Sequence, residues 1–242
     1  MQESTLQTNS ALNTTIGEIV AADYRTAKVF ETHGIDFCCG GKVALLAICQ
    51  VKGINPDMLL REIETIKSEH IDRTQNYTSW ELPFLVDYIV NTHHAYLKDN
   101  DEQIAIYARK IAEVHGAHHP EVVEIATIFE KIAKDMAAHL QEEEEVFFPA
   151  IKRADAERKA GNAPSKGDNN VIKASLAKLG REHEEIGDAI HTIRHLSKDY
   201  AIPKDTCNTF MLTYQKLKEF EEDLHKHVHL ENNVLFPNAS QL

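Results

Sequence analysis

One phrase of eleven positions is written twice in this chain. The form His-x-x-x-Glu-x-x-Val-(Phe/Leu)-Phe-Pro runs from His139 to Pro149 and again from His227 to Pro237, each match displaced by 88 residues. A His and a Glu four positions apart lie on the same face of a helix. Two such helices side by side bring two imidazoles and two carboxylates to one interior point. The chain must therefore fold so that two helices share a polar centre. A mixed imidazole–carboxylate site suits non-haem iron, with manganese and zinc behind it.

Composition narrows the class. The chain has 242 residues, 43% of them hydrophobic, and no apolar run approaches membrane-spanning length. Residues Met1 to Ser10 are polar and carry no signal-peptide pattern. A net charge of −12 argues against a nucleic-acid partner. Four cysteines, Cys38, Cys39, Cys49 and Cys207, include an adjacent pair, a poor disulfide framework, so a cytoplasmic location is expected. Monomer and homodimer are both compatible with the chain.

Apolar residues recur at 3–4 spacing and no strand-like alternation stands out. Four long helices follow residue 80. Their stripes carry Leu82, Val86, Ile89, His93, Tyr96, Ile104 and Ile111; Val122, Ala126, Phe129, Ala133, Met136, His139, Glu143 and Val146; Ile172, Leu176, Leu179, His183, Ile186, Ile190 and Ile193; and Leu217, Phe220, Leu224, His227, Glu231 and Val234. Polar links at 116–120, 155–168 and 200–205 separate them, and Pro149 and Pro237 are expected near the ends of the second and fourth helices. Short links favour an antiparallel up-down bundle. Residues 12–66 predict a small helical domain, with one helix ending near Gly34, one stopping near Gly53 and one starting at Asn55-Pro56-Asp57. Lys67 to Ser79 reads as a linker. The fold expected is all-α: an antiparallel four-helix bundle over 80–238, preceded by the small domain.

The in-stripe polar residues His93, His139, Glu143, His183, His227 and Glu231 form the candidate metal ligands. A single buried histidine is more often a hydrogen-bonded core residue. Four histidines and two glutamates in one core would carry large desolvation costs that a metal pair removes together. His225 and His229 sit about 200° around the helix from His227 and are expected to be solvated or outside the ligand shell. Of Glu142 to Glu145 only Glu143 falls on the stripe, and the other three predict an exposed face. Six protein ligands with two bridging carboxylates and a bridging oxygen leave about two coordination positions open on an octahedral pair. Such a site binds or transforms small molecules.

These bundle residues resemble the hemerythrin-like domain, an antiparallel four-helix di-iron fold. Hemerythrin oxygen carriers place a second His four after the first on helix three, where this chain has Gly187. Their last helix uses an Asp five after the His, where this chain has Glu231 four after His227. The departure argues against simple oxygen carriage. The run His33-Gly34-Ile35-Asp36-Phe37-Cys38-Cys39-Gly40-Gly41-Lys42 resembles the signature of the small domain that heads the iron–sulfur cluster repair di-iron proteins, the "repair of iron centres" family. Glu182-His183-Glu184, Gly187 and Leu230-Glu231-Asn232-Asn233-Val234-Leu235-Phe236-Pro237 match the same family. The resemblance covers residues 12–238.

That resemblance implies two iron ions in a non-haem, oxo- and carboxylate-bridged centre, with Glu143 and Glu231 bridging. It implies repair of clusters damaged by nitric oxide or peroxide, by supplying iron. Damaged iron–sulfur proteins or a cluster-assembly scaffold would be the partners, and nitric oxide, peroxide or oxygen the small ligands. Cys38 and Cys39 carry over as the motif cysteines, with a redox, partner-contact or structural role. Lys42 beside an exposed Gly-Gly loop favours their thiolates, and Cys49 and Cys207 are expected to be structural. The alternatives are a di-iron nitric oxide reductase or peroxidase, marked by catalytic turnover, and an oxygen or nitric oxide sensor, marked by reversible binding.

Overall fold

The computed structural model describes residues 11–68 and 76–242. The linker expected over 67–79 and the polar start at 1–10 fall largely or wholly outside these. Secondary structure among the described residues is helical apart from one isolated bridge between Thr15 and Ala44. The chain forms two compact units. One comprises the N-terminal residues up to Glu81 with Val228–Asn238, and the other comprises Leu82–His227 with Ala239–Leu242. The sequence boundary placed all of 80–238 in the bundle. By its contacts the segment Val228–Asn238 groups with the N-terminal residues instead.

In the smaller unit, α1 (Ile16–Ala22), α2 (Ala27–Thr32), α3 (Leu45–Lys52) and α4 (Pro56–Ser68) follow local signals. Thr15 caps α1 in a capping box: its hydroxyl accepts from the Glu18 amide at 3.3 Å, and the Glu18 carboxylate accepts from the Thr15 amide at 2.9 Å. Asp23 breaks the single helix expected up to Gly34, and a 3-10 turn at Tyr24–Thr26 follows it. Asn55 caps α4 by accepting from the amides of Asp57 and Met58. Gly53, at φ +65°, closes α3 in a left-handed conformation that side chains resist.

Four long helices build the larger unit, the last of them continuing from Val228 as the segment grouped with the smaller unit. α5 joins Leu82–Ile89, a π-helical turn Val90–His94 and Ala95–His115. α6 joins Glu121–Glu142, a π turn Glu143–Phe147 and Phe148–Lys159. α7 is Lys166–Leu196. α8 begins with Asn208–Leu230, continues through a π turn Glu231–Leu235 and ends at Phe236–Ala239. Lys152 at the end of α6 meets Asp87 at the start of α5, and Arg153 meets Asp168 at the start of α7. Neighbouring helices therefore run antiparallel, as expected.

The π turns shift the core register. A π turn closes through i→i+5 bonds and adds one residue to the helical repeat. On α5 the buried stripe runs Leu82, Val86, Ile89, then His94, Leu97, Ile104, Ala108 and Ile111. On α6 it passes His139 and Glu143 and resumes at Phe147, leaving Val146 40% exposed where the regular period had buried it. Pro149 does not end α6, which continues to Lys159. Proline lacks an N–H and clashes with the carbonyl four residues back. The wider turn relieves both, with Phe148 N–H reaching Glu143 O and, before Pro237, Phe236 N–H reaching Glu231 O.

Candidate metal centre

Within the larger unit, His94, Glu143 and His227 offer ligand atoms within 4.8 Å of one another, and so do His139, Glu143 and His183. All five are at most 2% exposed. His94 Nε2 lies 3.2 Å from His227 Nε2 and 3.4 Å from Glu143 Oε2. On the other side, His139 Nε2 lies 3.0 Å from His183 Nε2 and 3.4 Å from the same Glu143 oxygen. Two ligands bound at right angles about 2.1 Å from one metal would sit about 3.0 Å apart. Four imidazoles and a shared carboxylate, out of water and at this spacing, fit a pair of metal ions. Glu231, 0% exposed, stands one turn beyond His227 on the same helical run. It occupies in the second copy of the phrase the place of Glu143 in the first.

The distal imidazole nitrogens have carboxylate partners. His94 Nδ1 bonds Glu144 Oε1 at 2.8 Å, and His139 Nδ1 bonds Glu182 Oε2 at 2.8 Å. A carboxylate there fixes the proton on Nδ1 and turns the Nε2 lone pair inward, the usual arrangement behind a ligating histidine. Lys98 Nζ grips both oxygens of Glu144 at 2.7 Å. Burial pushes the Glu144 carboxyl up, but hydrogen bonds from Lys98 and His94 outweigh it and hold the group below the usual range.

Three expectations need correction here, and a fourth narrows. His93, taken from the regular stripe as the ligand on the first helix, is buried but stands outside both donor groups. Its Nδ1 bonds Asp223 at 2.9 Å and its ring stacks on His227, and the inserted residue of the π turn brings His94 inward in its place. Glu144 is not part of a purely exposed face, since it orients His94. Of the two alternatives for His225 and His229, burial at 8% and 0% exposed removes the solvated one, and both stand outside the two donor groups around Glu143. In the smaller unit His229 packs against Tyr24 and Phe37, and burial pushes its imidazole down to about 3. Cys207 is not structural: it is exposed, 3.2 Å from His115 Nε2. That hydrogen bond, with the Phe210 and Thr209 amides of the α8 start, lowers its thiol to about 7.

The vicinal cysteines lie in the smaller unit. Asp36 organises their loop, its carboxylate accepting from the amides of Cys38, Cys39 and Gly40 at 2.9, 3.0 and 3.1 Å. Asn232 and Asn233 donate to the Cys38 carbonyl, and Asn233 also to that of Phe37. Gly17 and Gly41 leave room for Asn233, whose amide a Cβ at either position would strike. Cys38 is 4% exposed and its Sγ donates to Asp36 Oδ1 at 3.1 Å. The hydrogen bond with Cys39, then burial and the neighbouring charges, push its thiol well above the ordinary range. The expectation of a Lys42-stabilised thiolate fails at Cys38, because carboxylate and burial act against it. Cys39 is the more accessible thiol.

Four antiparallel helices that bury imidazoles around a shared carboxylate define a metal-binding four-helix bundle. The hemerythrin HHE cation binding domain family matches residues 85–239, and a domain of unknown function, DUF542, matches residues 12–67. The chain is 31% identical over 223 residues to the iron-sulfur cluster repair protein ScdA of Staphylococcus epidermidis, covering 91% of this chain and 96% of that one. ScdA of Staphylococcus haemolyticus is 28% identical over 93% of this chain and 97% of its own length. The iron-sulfur cluster repair protein YtfE of Yersinia pestis is 27% identical over 94% and 96%. This chain belongs to the iron–sulfur cluster repair proteins that join these two domains. No helix among the described residues is long and apolar enough to cross a membrane.

Proposed function

We propose that this chain holds two iron ions between His94, His139, Glu143, His183, His227 and Glu231. In this reading it supplies iron to iron–sulfur clusters damaged by nitrosative or oxidative stress in the cytoplasm. The observation that carries the proposal is Glu143, one fully buried carboxylate shared by two imidazole pairs. Glu231 would supply the second carboxylate, by its equivalence to Glu143 in the repeated phrase. Bound iron would supply redox-active, exchangeable metal with open positions for small ligands. The protein's own part is to hold Nε2 lone pairs inward through Glu144 and Glu182 and to keep bulk water from the centre. The Cys38–Cys39 loop, braced by Asp36, is assigned the contact with the acceptor, a damaged iron–sulfur protein or an assembly scaffold.

The test is a timed transfer assay. Protein loaded with ferrous iron is mixed with an apo iron–sulfur protein, and cluster absorbance and metal content are followed together. Iron should leave this chain as the acceptor cluster forms. Glu143→Ala should carry no iron pair, and Cys39→Ser should keep the iron but transfer it more slowly. Retention of both irons during catalytic consumption of nitric oxide would replace the donor reading with a reductase.

A further inference from the structure

A second group of potential ligands lies in the larger unit, on the two helices that carry His183 and His227. Glu221 and His225 are four apart on α8, one above the other, and His191 faces them from α7. Their ligand atoms lie within 4.8 Å of one another. His191 is eight residues past His183, about 12 Å along the helix at 1.5 Å per residue. The cluster is therefore separate from the buried centre and opens to solvent through His191, its one exposed member.

The spacing inside the cluster is informative. His225 Nε2 and Glu221 Oε1 are 3.7 Å apart, too far for a hydrogen bond. Two ligands in a tetrahedral shell of about 2.1 Å radius sit about 3.4 Å apart, so a small closure would seat one ion. The His191 and His225 rings are 5.9 Å apart at 63°, tilted rather than stacked. Glu221 is 0% exposed and already has a cationic neighbour, since Arg194 Nε donates to its two oxygens at 2.9 and 3.0 Å. That contact leaves lone pairs on both oxygens, because a carboxylate offers about four acceptor sites.

We propose that His191, Glu221 and His225 form a site for one divalent transition-metal ion, held by two imidazoles and a carboxylate. This donor set takes zinc, ferrous iron or cobalt with a water completing the shell. The site's existence does not depend on the buried pair. Its role does rest on the proposed function: it stages a metal ion at the surface end of the helices that hold the centre.

The experiment uses the full chain and Zn(II) alone. Metal-stripped protein is dialysed to equilibrium against buffered Zn(II), and bound metal is counted by elemental analysis. The parent should bind three ions per chain under the proposed two-metal centre. His191→Ala, an exposed change to a good helix former, should bind one fewer. His118→Ala, an exposed histidine outside the cluster, should match the parent. Co(II) in place of Zn(II) gives a visible spectrum, and the parent-minus-His191→Ala difference should show one low-symmetry site. Equal counts and equal spectra for parent and His191→Ala would overturn the site. Loss of the buried ions in Glu143→Ala, with the His191-dependent ion retained, would show that the two sites stand independently. If the buried ions prove not to transfer, the proposed function fails while the His191-dependent ion remains.

Discussion

Paired substitutions at His93 and His94 separate ligation from packing. His94 Nε2 faces His227 and Glu143 at 3.2 and 3.4 Å, whereas His93 bonds Asp223 and belongs to neither donor group. Even partners one shell out change metal affinity by about 10–100-fold, so removing a direct ligand should cost at least about 100-fold. With free metal at about 1,000 times Kd, binding adds about 4.1 kcal/mol to folding stability. A hundredfold loss reduces that increment to about 1.4 kcal/mol, so His94→Ala should forfeit about 2.7 kcal/mol of metal-dependent stability. His93→Ala should keep the full increment. It should instead lower the stability of the metal-free protein by about 2–3 kcal/mol, through a cavity at a site 1% exposed and a lost hydrogen bond. Urea unfolding of each variant, with and without saturating metal, measures both quantities. If His93→Ala loses the increment and His94→Ala keeps it, the register assigned to the α5 π turn is wrong.

Two further predictions concern titrating groups. Burial pushes the Asp101 carboxyl up to about 7, so the folded state binds its proton more tightly than the unfolded chain, whose value is about 3.9. Its contribution is fully present below about pH 4 and is lost as pH rises through about 7. Asp101→Asn should therefore match the parent at pH 4 and be more stable at pH 8, by no more than about 4 kcal/mol; chemical unfolding at both pH values decides it, and an unchanged difference between them refutes it. Cys207, lowered to about 7, should be alkylated by iodoacetamide with a rate that rises through neutral pH, while Cys38 stays unmodified. His115→Ala should move that rise toward the ordinary thiol range, and peptide mass spectrometry across a pH series would expose a profile indifferent to His115.

Much of the architecture could be read directly from spacing. The repeated phrase made His139, Glu143, His227 and Glu231 legible, because His and Glu four apart share a face in any ordinary helical turn. His183 was legible from its place in the Ile/Leu stripe of α7. The links at 116–120 and 155–168 carry the local turn chemistry that separates helices, so the bundle order was legible too.

The choice between His93 and His94 was not. Periodicity assumes one repeat along the helix, and the π turn at Val90–His94 inserts a residue that rotates everything after it by about 100°. No local signal marks that insertion on α5, where no proline requires it. The same shift exposes Val146 and buries Phe147 on α6. The partners of the ligands were equally hidden: Glu144 with His94, Glu182 with His139 and Asp36 with the cysteine loop depend on where one element meets another or on how a loop turns back on itself. Sequence alone determined which residue types the core would hold and on which helices. The tertiary structure decided which of two adjacent imidazoles turns inward and which carboxylates hold the others, because helix register and side-chain partners are settled by packing between segments far apart in the chain.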